Sequence, residues 1–327
     1  MQSILAADVG GTHARFGLIE VSGGVRPRLH NRLDLEAEHF PGFLDALHSY
    51  IEQTGLAELP RATAIAAAGP VTRGRVKLTN RNWSIAESEL RGSGFSNVIV
   101  INDFEALAYS IETLGPQDLH SIGPELQGDP NSPVSIVGAG TGFGVSCLVR
   151  HGGQATPLIT EGGHIGFAPG DELQMQLLLA LQRQFGRVSV ERLLSGAGLE
   201  NLYRIQQEFL GRQAVALRAE DLTERAIDGD PDCHNALTLF CSIYGSVAGD
   251  IALAHGARGG VIVAGGIAQK IQTFLIQSPF RSQFDNKGRL SPYVKAIPTR
   301  LLVDPDAALR GVARAGLIAW TGRSCVP

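Results

Sequence analysis

Lysine is scarce in this chain of 327 residues, present only at Lys77, Lys270, Lys287 and Lys295, and the arginines are scattered. With a formal net charge of −4 and no polybasic patch, the sequence has little with which to neutralise a nucleic acid or an anionic membrane. Cysteine is sparse too. Cys147, Cys233, Cys241 and Cys325 stand far apart, with no CxxC pair and no histidine at metal-ligand spacing. That excludes a disulfide framework and a zinc site, and leaves the incidental thiols of a reduced cytosolic protein. Long apolar runs are missing as well: residues 134–149 are broken by glycines before they reach membrane-spanning length. A strand beginning near Ile4 is expected to leave no room for a signal peptide, and the chain is expected to be cytoplasmic. The motif G-x-x-x-x-G-K-[ST] of P-loop enzymes is absent, as is a G-x-S-x-G nucleophile turn.

What is present is a globular composition, 44% hydrophobic and 18% charged, in a chain long enough for two domains. It opens with Ile4-Leu5-Ala6-Ala7-Asp8-Val9-Gly10-Gly11-Thr12, a buried strand running into two glycines and a threonine, then into a second strand, His13-Ala14-Arg15-Phe16-Gly17-Leu18-Ile19. Gly10 and Gly11 can adopt positive φ and let N–H groups approach phosphate oxygens that a Cβ would block. Thr12 adds a hydroxyl, and Asp8 at the strand end can hold water on a Mg²⁺ ion. A plain hairpin whose glycines serve only the turn is the competing reading.

Strands at residues 62–68 and 98–101, with helical spacing from Phe43 to Ile51 and from Phe104 to Ile111, predict an α/β domain with a mainly parallel sheet. Residues 115–133 read as a connector. Beyond them, Ile136-Val137-Gly138-Ala139-Gly140-Thr141-Gly142-Phe143-Gly144-Val145 repeats the pattern of strand, Gly-Thr turn and strand. Aligning Gly11-Thr12 with Gly140-Thr141 places Phe16 on Val145 and Leu18 on Cys147, which suggests a duplicated architecture or a chance match. The glycines at 138–142 are misplaced for a dinucleotide fold, since a strand follows. A long helix is expected after Pro231, capped by Asp230 and ended by Gly256. Val261-Ile262-Val263-Ala264-Gly265-Gly266 turns a strand into a helix start where a nucleotide could lie, and residues 307–320 form a small-residue amphipathic helix.

Asn102-Asp103 stands where a parallel strand ends and a helix begins, the usual place for functional groups in such sheets. A carboxylate there can accept a proton from a substrate hydroxyl, or either residue can simply cap the helix. Glu161-Gly162-Gly163-His164 and Glu191 offer acceptors for a polyhydroxylated substrate. His164 lacks partners for a metal, while Glu191 with Arg192 also fits plain helix surface charge.

Taken together, Asp8-Val9-Gly10-Gly11-Thr12, Leu78-Thr79-Asn80-Arg81-Asn82-Trp83, Ile101-Asn102-Asp103-Phe104, Gly138 to Gly142, Glu161 to His164, Glu191 to Gly196 and Ala264 to Ile267 resemble the bacterial glucokinase family of the actin-like sugar-kinase superfamily. The resemblance covers nearly the whole chain. It implies a two-domain α/β fold of the actin-like (ribonuclease H-like) sugar-kinase type with an interdomain cleft. The small domain would be 1–110 plus 305–327, and the large domain 111–304. It further implies transfer of phosphate from ATP, with Mg²⁺, to the 6-hydroxyl of glucose. In this reading Asp103 is the base and Asn102, Glu161, His164 and Glu191 hold the sugar. Ala7, Asp8, Val9, Gly10, Gly11, Thr12, Gly140, Thr141, Gly265 and Gly266 line the nucleotide, with Asp8 in the metal shell through water. A homodimer is implied as well, without nucleic-acid or membrane partners. Two residues depart from the family: His13 where Asn is usual, and Gly166 where Asp is common. A non-catalytic sugar sensor of the same fold remains a rival, as does a kinase using another hexose or another phosphoryl donor. A sensor is expected to carry a DNA-binding segment ahead of the first strand, and an ATPase of the actin or chaperone type would lack the set Glu161, His164 and Glu191.

Overall fold

The computed structural model describes residues 2–21, 26–56, 58–78, 81–151 and 154–321, so Thr79, Asn80 and Cys325 lie outside the described residues. The chain divides into two compact units. One comprises Met1–Gly115, His151–Leu158 and Asp304–Pro327, the other Pro116–Arg150 and Ile159–Val303.

In the first unit, β1 (Gln2–Val9), β2 (His13–Val21), β3 (Arg28–Glu36), β4 (Ala62–Ala67) and β5 (Asn97–Asn102) form a sheet of order β3-β2-β1-β4-β5. Strands β1, β4 and β5 run parallel, and β2 and β3 are antiparallel hairpin partners of β1 and β2. Ala62–Ala67 is buried along its whole length, as a strand covered on both faces must be. On one face lie Leu5, Ala7, Val9 and Phe16 with Phe43, Leu47 and Tyr50 of α1 (Phe43–Thr54). The other face is built from small residues, Ala6, Ala62, Ala64 and Ala66, with Ala106 of α2 (Asp103–Ser110) and Leu309, Val312 and Ala313 of α6 (Ala307–Thr321). Gly311 makes this packing possible. A Cβ there would sit 1.8 Å from the carbonyl oxygen of Ala106, so the two helix backbones touch.

The second sheet has six strands: an edge strand Gln154–Thr160, then the order β8-β7-β9-β10-β6, made from β6 (Leu119–Ser121), β7 (Val134–Ala139), β8 (Phe143–His151), β9 (Gly260–Ala264) and β10 (Thr299–Leu302). The run β8-β7-β9-β10 repeats β2-β1-β4-β5: an antiparallel hairpin, then two strands parallel to its first member. The repeat read from sequence is therefore a repeat of topology. Its second strands align as expected, since Ala14 and Phe143 are the first paired residues after each turn. The first strands differ by one residue, because the turn 10–13 is one longer than 140–142. Strand β6 falls within the stretch expected to be only a connector.

Three helices matter here: α3 (Glu172–Phe185), α4 (Gly196–Phe209) and α5 (Pro231–His255). Helix α5 is capped by Asp230, carries Pro231 in its first turn and ends at Gly256 with φ of 61°. It is long and apolar enough to cross a membrane by composition, yet 72% of its apolar window is buried inside the protein. It is a core helix.

Candidate active site

Every residue singled out at the end of a strand lies at the carboxyl end of a parallel strand, where α/β sheets expose backbone groups to ligands. In the first unit Asp8 is opposite Ala66, and Ala67 is opposite Asn102. Asn102 is the cap: its Oδ1 accepts the N–H of Phe104 at 2.9 Å and of Glu105 at 3.3 Å, while its Nδ2 donates to the Gly69 carbonyl at 3.1 Å. Asp103 is the first helical residue, half-buried, and accepts the Phe104 N–H at 3.0 Å. Burial and the charge of Asp8 push its carboxyl up to about 7, against the pull of the surrounding hydrogen-bond donors. A carboxyl group that titrates near neutrality suits general-base work.

Asp8 pairs across the hairpin with Arg15, whose Nη1 lies 3.1 Å from its Oδ2. Burial nevertheless raises the Asp8 carboxyl, and Asp34 and Asp306 add to the rise. Arg15 also donates to Asp34 at 3.3 Å, and His13 Nδ1 is 3.2 Å from that same carboxylate. Burial is thus the largest cause and outweighs the pull of Arg15, and Asp8 is an oxygen donor of the kind a hard divalent cation takes, directly or through water.

The turn 10–13 is closed by the Gly10 N–H donating to the His13 carbonyl at 2.9 Å. The turn 140–142 closes likewise, Gly140 N–H to Gly142 carbonyl at 2.9 Å. Neither Gly10, Gly11 nor Gly140 has positive φ, contrary to the expectation that the turns use that freedom. A Cβ on Gly140 or Gly266 would meet nothing within 4 Å, and one on Gly10 only the His13 carbonyl at 3.8 Å. Neither turn conformation nor internal packing therefore demands glycine at these places. What a missing Cβ leaves there is room for an outside group against the backbone. Thr12 and Thr141 are both exposed at the turn tips. Ala7 and Val9 are fully buried, so they form the floor under the turn.

In the second unit Gly265 (φ 91°) brings β9 against β7: a Cβ would lie 2.3 Å from the Ala139 carbonyl. Beneath both strand ends the buried Tyr244 hydroxyl donates to the carbonyls of Val137 (3.1 Å) and Ala264 (3.4 Å). The Gly140 carbonyl accepts the N–H of Gly196, at the start of α4.

Glu191 is not a solvated helix charge. It sits in the single turn Val190–Arg192, and its Oε2 accepts the Phe143 N–H at 2.9 Å. Arg192 stacks on the Phe185 ring at 4.1 Å. Glu161 and His164 flank the tight turn Gly162–His164, with side chains 75% and 58% exposed and 4.0 Å apart. Gly163 lets that turn lie on Phe143, whose carbonyl would be 1.9 Å from a Cβ. The loop is tied to the Glu191 segment by main-chain bonds, Val190 N–H to Ile165 carbonyl at 3.0 Å and Phe167 N–H to Val188 carbonyl at 3.1 Å. These bonds support the loop around Gly166, where a Cβ would meet open space. The segments that carry Glu161, His164 and Glu191 thereby meet at Phe143, and carboxylate and imidazole groups of this kind can read hydroxyls.

Sequence reading gave no role to Arg15, Tyr244 or Arg81, although Arg81 stands in the motif Leu78 to Trp83. The first could have been found from the hairpin register, which places residue 15 opposite residue 8. The other two act across long sequence separations and leave no local signal.

A family model described as Glucokinase matches residues 5–317. The glucokinase of Caulobacter vibrioides (strain NA1000 / CB15N) is 46% identical over 325 residues, covering 98% of this chain and 97% of its own. That of Caulobacter sp. (strain K31) is 45% identical over 310 residues, covering 94% and 93%. The crystal structure of a glucokinase from an Antarctic psychrotroph superposes with a TM-score of 0.86 at 34% identity, covering 98% of this chain and 100% of that one. A glucokinase of the ROK family from Streptomyces griseus, solved with glucose and AMPPNP, shares the fold at a TM-score of 0.64 and 19% identity, covering 95% and 98%.

Proposed function

This chain belongs to the glucokinase family and has the α/β, actin-like sugar-kinase fold, and from that premise we propose how its residues carry out the family's reaction. It is an ATP-dependent hexose kinase that transfers the γ-phosphate of ATP to the 6-hydroxyl of glucose, giving glucose 6-phosphate and ADP. The observation that carries the assignment of roles is Asp103, half-buried at a strand end with a carboxyl titrating at about 7. Asp103 takes the proton of the sugar 6-hydroxyl as that oxygen bonds to the γ-phosphorus and the bond to the departing ADP oxygen breaks.

Asn102, Glu161, His164 and Glu191 hold the remaining hydroxyls. Gly10, Gly11 and Thr12 offer backbone and hydroxyl donors to the phosphates, as do Gly140 and Thr141, while Gly265 and Gly266 lie by the nucleoside. Mg²⁺ would neutralise phosphate charge, and Asp8 would hold it through water. Positioning and charge neutralisation dominate such a transfer, so the chain needs no covalent partner of its own. The same reading makes the protein a cytoplasmic homodimer, which light scattering on the purified chain would test. The transfer itself is tested by a coupled assay of a hexose panel against ATP, ADP and polyphosphate. Glucose with ATP should be the preferred pair, and activity with no hexose would overturn the reading.

A further inference from the structure

Arg81 lies 70 residues from the phosphate turn in sequence and grips it directly. Its Nε donates to the Gly11 carbonyl at 3.0 Å and its Nη1 to the Ala37 carbonyl at 2.7 Å. The N–H of Ala37 in turn donates to the Thr12 carbonyl at 2.8 Å, so two successive carbonyls of the turn are held by one assembly. The guanidinium lies over Trp83, 5.6 Å from the ring centroid. Trp83 is itself buried, packed edge-on against Phe43, and donates from Nε1 to the Phe40 carbonyl at 3.3 Å. The arginine therefore rests on a rigid platform.

The consequence follows from peptide geometry. In a trans peptide the carbonyl of one residue and the N–H of the next lie in one plane and point in opposite directions. Holding the Gly11 carbonyl on Arg81 aims the Thr12 N–H away from the arginine. Among the described residues no acceptor takes that N–H. On the Gly11 side of that peptide no Cβ restricts ψ, and the hydrogen bond from Arg81 supplies the hold that the side chain does not. We propose that Arg81 is the positioning residue of the phosphate turn, fixing the Gly11–Thr12 peptide so that its N–H faces the donor's phosphates. The inference rests on the reading of residues 10–12 as a phosphate cradle.

Arg81→Lys keeps the charge but not the planar fork that spans two carbonyls. In this variant ADP affinity, measured by calorimetry, should fall about 10- to 100-fold, and KM for ATP should rise in step. KM for glucose should stay within about twofold, since the sugar-reading groups are elsewhere. The amide resonances of Gly11 and Thr12 should broaden or shift in the ligand-free variant. Free guanidinium ion should restore ADP affinity to Arg81→Ala and leave the ADP affinity of the wild type unchanged. Wild-type ADP affinity and unchanged amide resonances in Arg81→Lys would overturn the inference. So would equal losses for glucose and ADP with a lowered melting temperature, which mean a structural role only. If the wild-type protein bound no ADP, the cradle reading itself would fall, an outcome distinct from a wild type and variant that bind alike.

Discussion

Replacing Asp103 by Asn separates proton acceptance from local structure, because Asn keeps an oxygen for the Phe104 N–H that Asp103 accepts at 3.0 Å. Two effects of opposite sign should follow. Activity should fall, since a positioned base contributes about 10²–10⁴-fold and the amide has no basicity. Stability should rise, because the folded protein pushes this carboxyl from 3.8 up to about 7 and so disfavours its charged form. Between those values the group is neutral when folded and ionised when unfolded. Wild-type stability from this group is therefore full below about pH 4 and declines until about pH 7. The distance corresponds to about 4 kcal/mol at ~1.4 kcal/mol per pH unit. Partial exposure lets water screen the charge, so about 2 kcal/mol is the working expectation. That is a gain on the order of 5 °C in melting temperature for the variant at pH 8, shrinking towards zero near pH 4. Steady-state kinetics with glucose and thermal melts across that pH range read both effects. Turnover within about tenfold of wild type would refute the base assignment. A pH-independent difference in stability would refute the electrostatic account of Asp103.

Three further outcomes are expected. For the wild type, kcat/KM should fall as pH drops below about 7, where Asp103 takes up its proton, and the Asn variant should lack this limb. Gly163→Ala drives a Cβ to 1.9 Å from the Phe143 carbonyl, and the backbone shift should cost about 1–3 kcal/mol and raise KM for glucose, checked by melts and kinetics. Tyr244→Phe removes the hydroxyl shared by the Val137 and Ala264 carbonyls; a loss of about 1 kcal/mol in urea unfolding is expected, with KM for ATP raised more than KM for glucose.

Local chemistry was legible wherever it acts over a few residues. Helix α5 announced both of its ends, because Asp230 and Gly256 cap through contacts within one turn. The hairpin at residues 10–13 and its echo at 140–142 were legible too, since alternation and glycine placement are properties of adjacent residues. The residues proposed for the site could be named on the same grounds, strand ends followed by polar groups. The conformation of the turns could not. Composition offered Gly10 and Gly11 the left-handed region, and the structure does not use it there.

What the sequence alone determined is the inventory: strands, their order of chemistry, the duplicated hairpin, and Asp103 at a helix start. Tertiary structure decided which of those groups are held and by what. It gave the cap to Asn102 and left Asp103 the carboxyl that burial, and then the charge of Asp8, pushes up. It turned Glu191 inward onto Phe143, and brought Arg81 to Gly11. Pairing across 48 or 70 residues depends on where the backbone folds back, and the desolvation that moves a carboxyl depends on every atom packed around it. Neither quantity is written in any short stretch of chain.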